Sequence, residues 1–149
     1  MMRCWCLDTN ILISALAFRG PEHHLLQQMQ AVHDGFLWFP TLEREVTSVL
    51  QRKFPAIDLS WEDAFPEGFR RSVAEPPEAL ITQARNGLRD PKDAPILAAA
   101  WTYPVTGLIT GDHDLLVLAH SVPSVPILTA SQALAQYYLL MEASNDHLP

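Results

Sequence analysis

CWCLDTNILISAL, residues 4–16, is an apolar run broken once, at Asp8-Thr9-Asn10, and resumed at once. Arg3 to Leu7 reads as a buried strand, and Thr9–Phe18 as a helix that is apolar on most sides and therefore interior. A charged carboxylate at the joint between them needs a partner, a cap to fill or a task. Two roles fit. Asp8 either caps the helix, accepting hydrogen bonds from the free N–H groups of its first turn, or stands at the rim of a sheet as a ligand to a cation. This stretch alone does not choose.

Working outward, the alternation repeats. Arg19-Gly20-Pro21 breaks the first helix, Glu22–Val32 reads as a second, and Asp34-Gly35 closes it. FLWF (36–39) is a short apolar strand. Pro40-Thr41 opens a helix to about Phe54, with Leu42, Val46, Val49 and Leu50 on one face. Residues 59–74 read as a helix interrupted by Pro66; Pro76-Pro77 ends it, and ALIT (79–82) reads as a weak strand. Asp90-Pro91-Lys92-Asp93 opens a helix through Trp101, with Pro91 suited to the first turn. TGLIT (106–110) is a strand, Asp112–Leu118 a short helix and VPILT (125–129) the last strand; Thr129–Gln132 is a capping-box pattern opening the final helix. Strands alternating with helices predict an α/β fold around a parallel sheet. No internal repeat, low-complexity tract or long linker divides the chain, so residues 1–149 are expected to form one domain.

A chain of 149 residues can bury one full core. Its 48% hydrophobic content excludes disorder. No apolar run approaches the roughly 20 residues of a membrane span. The leader MMRCWCL has no signal-peptide pattern, so the protein is expected to be cytoplasmic, with no membrane partner. Cys4 and Cys6 are the only cysteines. Two residues apart on a strand they share a face but make poor bridge geometry, and they lack zinc-site spacing, so both are expected as buried thiols.

The net charge of −7 argues at first against a nucleic-acid partner. The distribution of charge weakens that objection: all ten Lys and Arg lie between Arg3 and Lys92. Arg44, Arg52 and Lys53 fall together, as do Arg70-Arg71 and Arg89 with Lys92. They read either as solvated helix faces or as a basic rim on an acidic protein.

The acids fall at the ends of elements. Asp8 ends the first strand, Asp112 and then Asp114 follow the strand TGLIT, and Asp90 and Asp93 begin the helix before it. In open α/β sheets ligands gather beyond the carboxyl ends of the strands, where strand order reverses. Asp8 and Asp112 would be neighbours there if their strands flank that point. Each acid also fits a helix cap: Asp90 with Asp93 as a pair, Asp112 before LLVLA. Several acids on one edge with almost no local base are costly without a cation, and hard ions such as Mg²⁺ or Mn²⁺ want such oxygen ligands.

LDTNILISAL, LEREVTSVL, RDPKDAPILAAA and LITGDHDLL, continuing to VPILTASQAL, resemble the PIN domain in order and spacing over nearly the whole chain. The likeness is greatest to the bacterial branch of toxin–antitoxin toxins, the VapC-like ribonucleases. It implies a three-layer α/β/α fold with a central parallel sheet of four or five strands, and a metal-dependent ribonuclease activity. Carried over by motif, Asp8, Glu45, Asp93 and Asp112 match the family's acids, as catalytic residues and ligands of one or two Mg²⁺ or Mn²⁺ ions. Asn10, Thr110, Asp90 and Asp114 match supporting polar positions, with Asn10 and Thr110 expected to hydrogen-bond the ligands and fix their orientation. Glu43 and Glu45 lie on opposite edges of their helix's apolar stripe, so periodicity does not choose between them; the family register favours Glu45.

The chemistry so implied is hydrolysis of an RNA phosphodiester bond, with Arg44, Arg52, Lys53, Arg89 and Lys92 as candidate phosphate contacts. The rival class is a non-catalytic RNA-binding or scaffold module, against which the complete acid set argues. An aspartyl phosphotransferase would want a second Asp where Asn10 stands, and a receiver domain a late Lys, whereas none follows Lys92. Expected partners are the RNA, a protein antitoxin and a second copy in a homodimer. Trp61, Phe65 and Phe69, spaced i, i+4, i+8, suit either an antitoxin helix or core packing; Tyr137, Tyr138 and Met141 suit a dimer contact or a cover for the sheet.

Overall fold

The strands β1 (Cys4–Leu7), β2 (Gly35–Trp38), β3 (Arg70–Ser72), β4 (Leu108–Ile109) and β5 (Ile127–Leu128) pair in parallel, in the order β3-β2-β1-β4-β5. The computed structural model describes residues 2–57, 61–118 and 125–146. β2 is buried at every position and β1 at all but its first, because a parallel sheet is covered on both faces. That is why both stretches read as unbroken apolar runs.

The cover comes from helices between the strands. α1 (Thr9–Ala17) packs on α2 (Pro21–Ala31) and α3 (Pro40–Lys53), and α5 (Glu78–Asn86) packs on α6 (Ala94–Thr102). Parallel crossovers are right-handed as a rule, and with this strand order the rule puts the helices between β1, β2 and β3 over one face and α5, α6 and the short α7 (His113–Val117) over the other. The three-layer α/β/α architecture around five strands therefore matches the expectation. Strand order reverses between β1 and β4.

Two expectations are corrected. Within the described part of residues 59–74 only α4 (Trp61–Ala64) is helical, and Arg70–Ser72 is strand β3; Leu59 and Ser60 lie outside the described residues. Pro66 ends the helical turn, and Gly68, at φ +96, takes a left-handed conformation that favours glycine. Phe65 and Phe69 turn inward, with ring centroids 5.5 and 5.0 Å from Phe36, so this stripe is core. The second correction is ALIT, which lies inside α5. Ile81 and Ala84 alone are buried on it, at helical spacing, and the straight-chain residues around them favour a helix.

The final helix, α8 (Ala130–Asp146), opens on the expected capping box: Gln132 N–H donates to Thr129 Oγ1 (3.1 Å) and Thr129 N–H to Gln132 Oε1 (2.9 Å). Asp34 ties it to the sheet. This buried carboxylate accepts from Arg3 N–H (2.7 Å), Arg3 Nε (3.1 Å) and the Tyr137 hydroxyl, whose oxygen accepts from Trp5 Nε1 (2.8 Å). Both cysteines are free thiols, as expected, but only Cys6 is buried; Cys4, at the start of β1, is half-buried. No helix among the described residues is long and apolar enough to cross a membrane.

Candidate active site

Leu7 and Ile109 are register partners at the carboxyl ends of β1 and β4, so the residues after them emerge side by side at the strand-order reversal. Those residues are Asp8 and Thr110. The Asp8 N–H extends the ladder to the Ile109 carbonyl (3.0 Å), and Thr110 Oγ1 donates to Asp8 Oδ2 (2.8 Å). The same hydroxyl oxygen accepts from the Asp112 N–H (2.9 Å), which folds the chain back over the sheet edge. Asp8 and Thr110 are both buried.

The two roles open for Asp8 now separate. Its backbone carbonyl accepts from Ile11 N–H (3.0 Å) and starts α1, but its carboxylate makes no capping bond. The other acids divide differently. Asp90 caps the 3-10 turn Pro91–Asp93 through Lys92 N–H (3.0 Å), and Asp112 caps α7 through Asp114 N–H (2.8 Å). A carboxylate has two oxygens, so the cap on Asp112 occupies only Oδ1.

Asp93 is buried, caps nothing, and has an oxygen, Oδ2, with no hydrogen-bond partner. Burial, then a carboxyl–carboxylate hydrogen bond with Asp112, then the charges of Asp8, Asp112 and Asp90 push its pKa up to about 8. Asp8 is also raised, first by burial, then by the charges of Glu45 and Asp112, against the hydrogen bonds from the Thr110 hydroxyl and the Thr9 backbone. Asp8, Asp93 and Asp112 therefore share one electrostatic site at the sheet edge, with Glu45 close enough to act on Asp8.

A family model described as PIN domain matches residues 5–114. The chain belongs to the PIN domain family. PIN domains are usually nucleases, act on nucleic acid and generally use divalent metals. No curated protein and no solved structure matches the chain.

The remaining expected residues of this PIN domain spread over three settings. Arg44, Glu45, Ser48 and Arg52 on α3 face Pro91, Lys92 and Pro95 across a groove of about 460 Å³ that Thr41 and Val49 complete. Glu43 is engaged elsewhere, accepting from Trp38 Nε1 (2.9 Å), so the two helix glutamates separate by environment. Lys53 and Arg89 are exposed outside the groove lining, Lys53 in the last turn of α3, where a cation suits the helix dipole. Asn10 is exposed on the first turn of α1.

Glu75 is a residue that sequence reasoning missed. Its carboxylate accepts from both the backbone N–H and the hydroxyl (2.7 Å) of Thr41, capping α3 from 34 positions away. Local motifs do not reveal such a cap; the one signal was an acid stiffened by the following Pro76-Pro77.

Among the described residues no three His, Cys, Asp or Glu side chains already stand close enough together to hold an ion. In the metal-free fold Asp93 keeps its proton beside Asp112, which relieves the repulsion a cation would otherwise offset. Two observations nonetheless fit a hard divalent ion. The donors are carboxylate oxygens, the set that Mg²⁺ and Mn²⁺ prefer, and Asp93 Oδ2 is buried without a partner.

This electrostatic site makes metal-free stability depend on pH. Asp93 holds its proton to about 8 when folded but loses it near its ordinary 3.8 when unfolded. Between those values the unfolded chain binds fewer protons, so stability falls as pH rises. Denaturant melts in chelator from pH 4 to 8 are expected to show that fall, and Asp93→Asn to flatten it. Equal slopes in both proteins would remove Asp93 as the source.

Proposed function

We propose that this PIN domain is a cytoplasmic, metal-dependent endoribonuclease, the toxin of a toxin–antitoxin pair. The observation that supports the nuclease reading is the electrostatic coupling of Asp8, Asp93 and Asp112 near the strand-order reversal, beside a basic groove that also contains Glu45. The acidic site fits a cation and the groove fits an anion, a pairing that suits metal-assisted hydrolysis of a phosphodiester.

Asp8, Asp93 and Asp112 would hold one Mg²⁺ or Mn²⁺ ion, and Glu45 would contribute to it or to a second. A divalent ion bound there supplies an acidified, oriented water and neutralises charge on the leaving oxygen. Thr110 fixes the Asp8 carboxylate through its hydroxyl and the Asp112 backbone through its oxygen, the supporting role that partners of metal ligands usually play. The Asp90 carboxylate holds the turn that carries Asp93, whereas Asp114 meets Asp112 only through its backbone N–H, which donates to the Asp112 carboxylate. Asn10 would meet substrate or solvent from its exposed position.

Arg44, Arg52 and Lys92 would take RNA phosphates along the groove, with Lys53 and Arg89 adding charge further out. Support for protein partners comes from α8, where Tyr138, Leu139, Leu140 and Met141 are all exposed. An apolar surface of that kind suits a homodimer or an antitoxin.

The test is cleavage of an unstructured RNA by the purified chain. Cleavage is expected with Mn²⁺ and none in chelator. Replacing Arg44, Arg52 and Lys92 together by alanine is expected to weaken RNA binding and flatten its salt dependence by about three phosphate contacts. RNA bound but never cleaved, with any divalent ion, would favour the non-catalytic module.

A further inference from the structure

The N-terminus of α3 holds a relay that ends in the groove. Thr41 Oγ1 donates its only proton to Glu75 Oε2 (2.7 Å), while the Thr41 N–H donates to Glu75 Oε1. With that proton committed, the hydroxyl oxygen is left as an acceptor, and Arg44 Nη2 donates to it at 3.1 Å. Glu75 lies between β3 and α5 and directly precedes Pro76, whose Cδ clashes with the helical conformations of the residue before it and so limits the Glu75 backbone. A rigid carboxylate thus orients a hydroxyl, and the hydroxyl holds a guanidinium on the groove wall that also carries Glu45.

We infer that Thr41 is a positioning residue for RNA: it holds the Arg44 guanidinium over the groove, ready for a backbone phosphate next to the cleaved bond. This rests on the nuclease reading above. Arg44 keeps further N–H donors free in the fork geometry that suits phosphate oxygens. Without the Thr41 oxygen the long side chain must be ordered at the moment of binding, at a cost in rotamer entropy. The effect falls on binding, because the phosphate concerned is not the reacting one.

Thr41→Val removes the hydroxyl but keeps side-chain shape and the backbone bond that caps the helix. Its KM for a short single-stranded RNA is expected to rise roughly three- to tenfold at unchanged kcat. Thr41→Ser, which restores the hydroxyl, should return KM to the wild-type value. In an Arg44→Ala background Thr41→Val should add nothing further, as two residues acting through one contact are not additive. Thermal melts of each variant separate a loss of fold from a loss of positioning. If Arg44→Ala raises KM but Thr41→Val does not, or if the two effects add in full, the inference is overturned and the nuclease reading stands. A wild-type chain that cleaves no RNA would instead overturn the reading on which it rests.

Discussion

Asp8→Asn is expected to lower RNA cleavage on the order of a thousandfold while leaving the metal-free protein at least as stable as the wild type. The two halves of that result have one cause. Asp8 is 5% exposed, receives one side-chain hydroxyl, from Thr110, and feels the charges of Glu45 and Asp112. Its ionised form is therefore held in the fold at a cost, and asparagine removes the charge while keeping the shape. The carboxylate makes no cap bond to α1, so the helix loses nothing. Metal reverses the ordering. The wild type should gain stability with Mn²⁺ as RT ln(1 + [L]/Kd), about 2.7 kcal/mol at a hundredfold excess over Kd, and the variant should lose most of that gain. Melts in chelator and across a Mn²⁺ series, beside a cleavage assay, check both halves. An equal Mn²⁺ response in the two proteins, with cleavage retained, would take Asp8 out of the site.

How legible this was depends on whether a feature is local. β1, α1, β2, α3 and the capping box of α8 follow from hydrophobic period, a proline at a first turn and a short polar cap, all signals carried within a few residues. β3 is different. Its residues, Arg70-Arg71-Ser72, have no strand composition, and they pair only because β2 offers Phe36, Leu37 and Trp38 as register partners. The edge of a sheet is a tertiary fact. ALIT failed for the opposite reason: four residues are too few for periods of 2 and 3.6 to be told apart, and the helix that contains it runs on to Asn86. At the site, the positions of Asp8, Asp93 and Asp112 were readable because each stands at a boundary, Asp8 and Asp112 after strands and Asp93 before a helix. The caps on Asp90 and Asp112 were readable too, and proved compatible with the grouping of the acids. A hydrogen bond from Thr110 to a site acid was expected, but not that the same hydroxyl also takes the Asp112 N–H, nor that Glu43 is engaged by Trp38. Those depend on which side chain meets which across the sheet edge.

Asp34 shows what a buried acid with enough partners does, and Asp34→Asn should give the opposite stability sign to Asp8→Asn. Both residues are buried, and the substitution is chemically the same. Asp34, however, accepts from the Arg3 backbone, from the Arg3 guanidinium and from the Tyr137 hydroxyl, and its strongest neighbour is a cation instead of further acids. An asparagine there turns one acceptor oxygen into an NH₂ group that must face one of those donors, and it leaves Arg3 without its counter-charge. Tyr137 and Trp5 are joined to the same network, so the strain reaches the packing of α8 on the sheet. Breaking one side of such a buried pair costs about 3 kcal/mol, which for a domain of this size lowers Tm by roughly 10 °C. The comparison is made in chelator, at one pH, with both variants beside the wild type. Asp34→Asn should melt well below it and Asp8→Asn at or above it, while RNA cleavage at a temperature where all three are folded should be kept by Asp34→Asn and lost by Asp8→Asn. If the two variants instead lose stability alike, Asp8 is an ordinary structural acid, and the fold has no need of a cation at the end of β1.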